Sequence, residues 1–162
     1  MGKMSEFELR ANNIATAIGA SRGRIDDFGY GDDPTNESVS RIYGMFITWL
    51  TACEEARHPH SYSKSVIDAL PDHDDPDWKV YISPRTGWTL KERAQALWGI
   101  RIAFTHGDGE INLISNSKNK SYAINSARIF KGVSIENNRL VINGAIEHVA
   151  IRTMVHIRDV LP

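Results

Sequence analysis

Apolar residues recur at three- and four-residue spacing through most of the chain, the pattern of helices that bury one face. The clearest run joins Val39, Ile42, Tyr43, Phe46, Trp49, Leu50 and Cys53 into one stripe about four turns long. Pro59 lies beyond it as a stop. Upstream, Phe7, Ala11, Ile14, Ala15 and Ile18 predict a helix from Met4 to Gly19, with Gly19 or Gly23 to end or bend it. Gly29 to Pro34 is a loop by composition, and Thr35 or Asn36 can cap the helix after it. A third long helix begins at Thr89-Leu90-Lys91-Glu92, which matches the capping box: hydroxyl and carboxylate each satisfy an orphan amide. Its core face is the arc of Leu90, Leu97, Ile100 and Phe104, drawn at about 100° per residue. Gly107 is the expected left-handed terminator, which makes His106 the last helical residue or the first beyond.

Shorter segments fill the remainder. Ser63 to Leu70 predicts a short helix, and Pro71 to Asp77 an acidic, proline-bounded loop that Trp78 and Tyr81 fold back on the core. Ile111 to Ile114 is apolar, Ser115 to Ser121 reads as a polar loop, and Tyr122 to Phe130 as a short helix closed by Gly132. From Gly132 to Gly144 the pattern alternates around Asn137-Asn138, predicting a β-hairpin whose turn residues tolerate positive φ. A closing helix from Ala145 to Val160 carries a stripe of Ile146, Val149, Ala150, Ile157, Val160 and Leu161, with His148, Arg152, His156 and Asp159 opposite. The expected fold is all-α, a bundle of four to five helices with a small β-hairpin before the last, in one domain spanning residues 1–162.

Composition narrows the function. With 41% hydrophobic and 24% charged residues the chain is ordinary for a globular domain, and a net charge of -1 leaves no broad basic footprint for sequence-independent binding of nucleic acid. Any polyanion site must be local. Cys53 is the only cysteine, so neither a disulfide framework nor a thiolate zinc cluster is available, and a reducing, cytoplasmic setting is expected. There is no signal peptide, repeat or bilayer-length apolar run. The four aspartates and His73 of the acidic loop suggest a hard cation, but a solvated acidic turn is the commoner outcome. His58 and His60, flanking Pro59, read as surface imidazoles at a helix end. No metal or cofactor is expected.

The chemistry gathers in Leu97-Trp98-Gly99-Ile100-Arg101-Ile102-Ala103-Phe104-Thr105-His106-Gly107-Asp108-Gly109. Arg101 can fork onto phosphate oxygens, and a histidine such as His106 can move a proton near neutral pH. Residues five apart on a regular helix diverge by about 140°, so this pair would not share one face. Either the last turn unwinds and swings His106 back, or the same segment of a second subunit completes the site across a twofold axis.

An R-x-x-x-x-H string at the end of the penultimate long helix, a His106-Gly107-x-Gly109 exit, a hairpin and a closing helix together resemble the HEPN family, the higher eukaryote and prokaryote nucleotide-binding domains, over roughly Val39 to Leu161. The resemblance implies a helical bundle that dimerises through its motif helices, here 89–106. In active members it implies a metal-independent endoribonuclease, often of toxin-antitoxin or phage-defence systems. Carried over, Arg101 and His106 become the catalytic pair, RNA the substrate, and an antitoxin or other protein a partner. Two positions depart from family patterns. Ile102 stands where active members usually carry a polar residue, and Asp108 where toxins paired with a nucleotidyltransferase antitoxin carry tyrosine. The alternative is a non-catalytic dimeric module that binds a partner protein or a nucleotide. There Arg101 pairs with an acidic group and His106 rests on the helix dipole.

Overall fold

The structure is a computed structural model that describes residues 6–27, 36–58, 66–71 and 88–161. Among these residues it is an all-α bundle with one two-stranded antiparallel hairpin before the last helix, as the periodicity predicts. The helices are α1 (Glu6–Asp27), α2 (Asn36–Glu55), α3 (Leu90–Gly107), α4 (Ser117–Ile129) and α5 (Ile146–Val160), and the strands β1 (Val133–Glu136) and β2 (Arg139–Ile142). Single 3-10 turns stand at Ile67–Ala69 and Ile111–Leu113. The first of these is all that is described of the helix expected over 63–70. Most of the acidic loop, Trp78, Tyr81, His60 and the loop after α1 lie outside the described residues.

Helix α1 is longer than expected and passes through Gly19 and Gly23 without ending. Its Phe7, Ala11 and Ala15 are buried. On α2 the buried positions are Val39, Tyr43, Phe46, Ile47 and Leu50, together with Ser40, Thr51 and Glu54. Ile42, expected in the stripe, is 40% exposed, and Ile47 takes the buried place instead. Trp49 is half-buried, stacked between Phe7 and Phe46 at centroid distances of 6.2 and 6.4 Å.

Two glycines set how closely the helices approach. A Cβ on Gly99 of α3 would stand 2.3 Å from the backbone nitrogen of Ala123 on α4, and one on Gly44 of α2 would stand 2.4 Å from the Phe104 ring of α3. Helix α4 starts five residues earlier than its apolar pattern suggests. Asn116 caps it by accepting a 3.0 Å hydrogen bond from the Asn119 amide, so residues 117–121 are helix rather than loop.

The hairpin pairs Val133 with Ile142 and Glu136 with Arg139 around Asn137 (φ 49°) and Asn138 (φ 63°), the two left-handed residues of a type I′ turn. Ser40 of α2 fastens it, accepting from the Ile142 amide at 2.5 Å and donating to the Leu140 carbonyl at 3.3 Å.

Helix α5 buries Ile146, Ala150 and Ile157 as expected, and Ile151, Thr153 and Met154 as well. Its Arg158 reaches the end of α2, where the fully buried Glu54 accepts from Arg158 Nε at 2.7 Å and Arg57 Nη1 at 2.9 Å, with His58 Nε2 at 3.3 Å. The same guanidinium lies 3.6 Å from the centre of the Phe7 ring, so one side chain joins α5, α2 and α1. No described helix is long and apolar enough to cross a membrane.

Candidate functional site

The motif helix α3 is held firmly at both ends. At its start the capping box is complete: Thr89 Oγ1 accepts from the Glu92 amide at 3.1 Å, and the Glu92 carboxylate accepts from the Thr89 amide at 3.1 Å. At its end the left-handed residue is Asp108 (φ 54°, ψ 36°) rather than Gly107, which stays helical. The Asp108 and Gly109 amides both donate to the Ala103 carbonyl, the latter at 2.9 Å, and Gly109 itself has φ 91°. Aspartate tolerates the left-handed conformation better than most residues, and here its side chain fixes it further. Arg41 of α2 donates through Nε to both Asp108 oxygens at 2.9 and 2.8 Å, while Arg139 of β2 donates to the Asp108 carbonyl at 3.0 Å. Hydrogen bonding by Arg41 holds the Asp108 carboxyl below the usual aspartate range, with the charges of Arg41 and Arg139 adding to it against a smaller cost of burial.

His106 is therefore the penultimate residue of a regular helix, and the last turn does not unwind to bring it beside Arg101. Leu90, Ala94, Ala96, Leu97, Ile100 and Ala103 face inward, together with Arg93, a buried cation the periodicity does not reveal. Its Nη2 donates to the Trp88 carbonyl at 2.7 Å. Phe104 is half-buried over Gly44. The solvent-facing strip of α3 carries Trp98, Ile102 and Thr105, with Arg101 on the edge toward α2 and His106 on the edge toward α4.

Arg101 has found an acidic partner. Its Nη1 pairs with Glu55 Oε2 at the end of α2, and its guanidinium carbon lies 4.8 Å from the centre of the Trp98 ring. The contact secures one corner of the fork. Nε and Nη2 donate no hydrogen bond among the described residues.

His106 is exposed and borders a cleft of about 320 Å³ with Ile102, Leu113, Ile114, Ser115, Asn116 and Asn119. Arg101 is not part of its wall. One chain thus presents the two candidate residues on opposite borders of one exposed strip and does not bring them together. Trp98 belongs to the motif stretch itself, whereas Glu55, Asn116 and Asn119 are neighbours of the site that the sequence does not single out. Only Asn116 carries a local signal, as an Asx residue at the start of a helix whose first turn is polar.

Cys53 is half-buried beside Phe7, Trp49 and Arg158, and burial pushes its thiol pKa up, which does not favour a nucleophilic thiolate. No group of three or more metal-ligating side chains occurs among the described residues. Comparison of the chain with protein-family models, with curated proteins and with solved structures returns no match.

Proposed function

We propose that this chain is a HEPN-type endoribonuclease, acting without a metal as a homodimer formed across the exposed strip of α3, in a toxin-antitoxin or phage-defence setting with an antitoxin or other protein as partner. The observation that carries the reading is the strip itself. A regular helix presents an exposed histidine at the mouth of a cleft and, on its other border, an arginine two of whose guanidinium nitrogens donate no hydrogen bond among the described residues. Half-exposed Trp98 and Ile102 lie between them, with the exposed Leu113 beside the cleft, and these give a second copy apolar surface to cover. A twofold dimer then gathers two histidines and two arginines around one phosphate.

In that arrangement one imidazole takes the proton of a ribose 2′-hydroxyl as its oxygen attacks phosphorus. The other, protonated, gives a proton to the departing 5′-oxygen. Arg101 stabilises the negative charge that builds on the non-bridging oxygens. The products are a 2′,3′-cyclic phosphate and a 5′-hydroxyl.

The test is incubation of the purified protein with total RNA in EDTA, alongside His106→Ala and Arg101→Ala. A positioned acid or base is worth about 10² to 10⁴ in rate, so either substitution is expected to leave little cleavage while the melting curve is retained. Intact RNA with the wild-type protein, a monomer in sedimentation at micromolar concentration, or undiminished cutting by His106→Ala refutes the reading. The Arg101–Glu55 ion pair, with Ile102 beside it, favours the second reading: a non-catalytic dimeric module that binds a protein or a nucleotide.

A further inference from the structure

Helices α1, α2 and α5 meet around a second cavity, a groove of about 510 Å³ with no residue of the motif helix in its wall. Its size is that of a small-molecule site. Phe7 and Trp49 line it with rings that lie nearly parallel, 12° apart, and the small side chains of Cys53 and Ala56 leave room beside them. Burial raises the Cys53 pKa, so this wall carries a neutral thiol at neutral pH.

The polar part of the groove is a guanidinium. Arg158 gives Nε to the buried Glu54 at 2.7 Å, and its guanidinium carbon lies 3.6 Å from the centre of the Phe7 ring. Nη1 and Nη2 donate no hydrogen bond among the described residues, yet neither is closed off from solvent. These two outer nitrogens form a fork that matches the two oxygens of a carboxylate.

The charges around this fork are unequal. Glu54 faces both Arg158 and Arg57, and Glu6 pairs with Arg10 in the groove wall, so with His58 neutral two carboxylates stand against three guanidiniums. Burial holds the Arg158 pKa below the usual arginine range; Glu54 opposes the shift, and the charge of Arg57 adds to it. An anion set against Arg158 would favour its charged form. One excess positive charge calls for a single negative charge in the ligand, and the aromatic lining for a flat apolar body behind it.

We infer that this groove binds a small aromatic monocarboxylate, its carboxylate received by the Arg158 fork and its ring laid along Phe7 and Trp49. The site takes no residue from α3, so it stands whether or not the chain cuts RNA.

The test is binding of 2-naphthoate to the full chain by calorimetry, beside three comparison probes. 2-Naphthamide keeps the ring and loses the charge, acetate keeps the charge and loses the ring, and 2-naphthyl phosphate adds a second negative charge. 2-Naphthoate is expected to bind about tenfold tighter than each, the scale of one hydrogen bond to a charged group. Arg158→Lys keeps a cation beside Glu54 and removes the fork, and is expected to weaken 2-naphthoate about tenfold while leaving 2-naphthamide unchanged. Ala56→Trp fills the groove from an exposed position without touching the Glu54–Arg158 pair, and is expected to abolish binding while the melting curve is retained. Should Arg158→Lys fail to fold, Ala56→Trp carries the test. No binding of 2-naphthoate at roughly millimolar concentration, an equal or higher affinity for any of the three comparison probes, or undiminished binding in either folded variant overturns the inference.

Discussion

Gly99→Ala tests the packing that carries the motif helix. The added methyl would stand 2.3 Å from Ala123 N, 2.5 Å from the Tyr122 carbonyl carbon and 2.8 Å from Ala123 Cα. All three are backbone atoms of α4, so no rotamer change relieves the overlap and the two helices must move apart. Overpacking of this kind costs about 1 to 3 kcal/mol, and backbone contacts belong at the upper end. Against it stands the helix preference of alanine over glycine, about 1 kcal/mol in the other direction. The net expectation is a loss of about 2 kcal/mol, which for a chain of this size lowers Tm by roughly 4 to 8 °C. Urea denaturation followed by tryptophan fluorescence measures it as a fall in midpoint at unchanged slope. Gly107→Ala is the milder comparison, because its methyl meets Leu113 alone, Cβ at 2.9 Å and Cδ1 at 3.1 Å, an exposed residue of a single 3-10 turn and not the backbone of a packed helix. If Gly99→Ala matches or exceeds wild type in stability, propensity has prevailed and the α3–α4 contact is not as close as described.

Phe46→Ala is expected to cost about 3 to 5 kcal/mol by chemical denaturation, as for a buried aromatic, while Trp49→Ala falls at the lower end because Trp49 is only half-buried. Asp108→Asn keeps a residue suited to positive φ and removes the charge that Arg41 and Arg139 engage. Because the folded carboxyl ionises below its ordinary value, near 3.9, the stabilisation is present above that pH and is lost as pH falls through the folded pKa. The variant is therefore expected to be less stable than wild type at neutral pH, and the gap to close in strongly acid solution. A gap independent of pH would show that the charge is not the cause.

The parts of the fold legible in the sequence are those set by local chemistry. Thr89 and Glu92 announce the start of α3 through their own hydrogen bonds, and Asn137-Asn138 announces the hairpin through its tolerance of positive φ. Helix α4 is another matter. Its first turn is polar and its buried residues are Ala123, Ser126 and Ile129, of which Ala123 approaches α3 closely only because Gly99 on that separate helix has no side chain. No periodicity within residues 117–129 records that. The end of α3 lies one position beyond the glycine that points to it: Gly107 is the permissive residue, but Asp108 has two arginines to hold it in the left-handed conformation. Arg101 and His106 are legible as chemistry. Their surroundings are not, because Glu55 belongs to another helix and the polar run around Asn116 and Asn119 has the composition of a loop.

The buried Glu54 links residues more than one hundred positions apart, since Arg158, which grips one of its oxygens, stands at the far end of α5. During synthesis the carboxylate leaves the ribosome long before that arginine does. In the interval Arg57 and His58 are the near neighbours in sequence that engage it, and a charge enclosed with incomplete partners is costly. Enclosing the carboxylate with all of these partners therefore requires α5 to be in place, and a chain without the last helix would leave a buried charge on α2 short of a cation. Glu55, one residue further along α2, positions the guanidinium of the motif helix. A change at Arg158 is in this way felt at the end of α2 that holds Arg101 through Glu55.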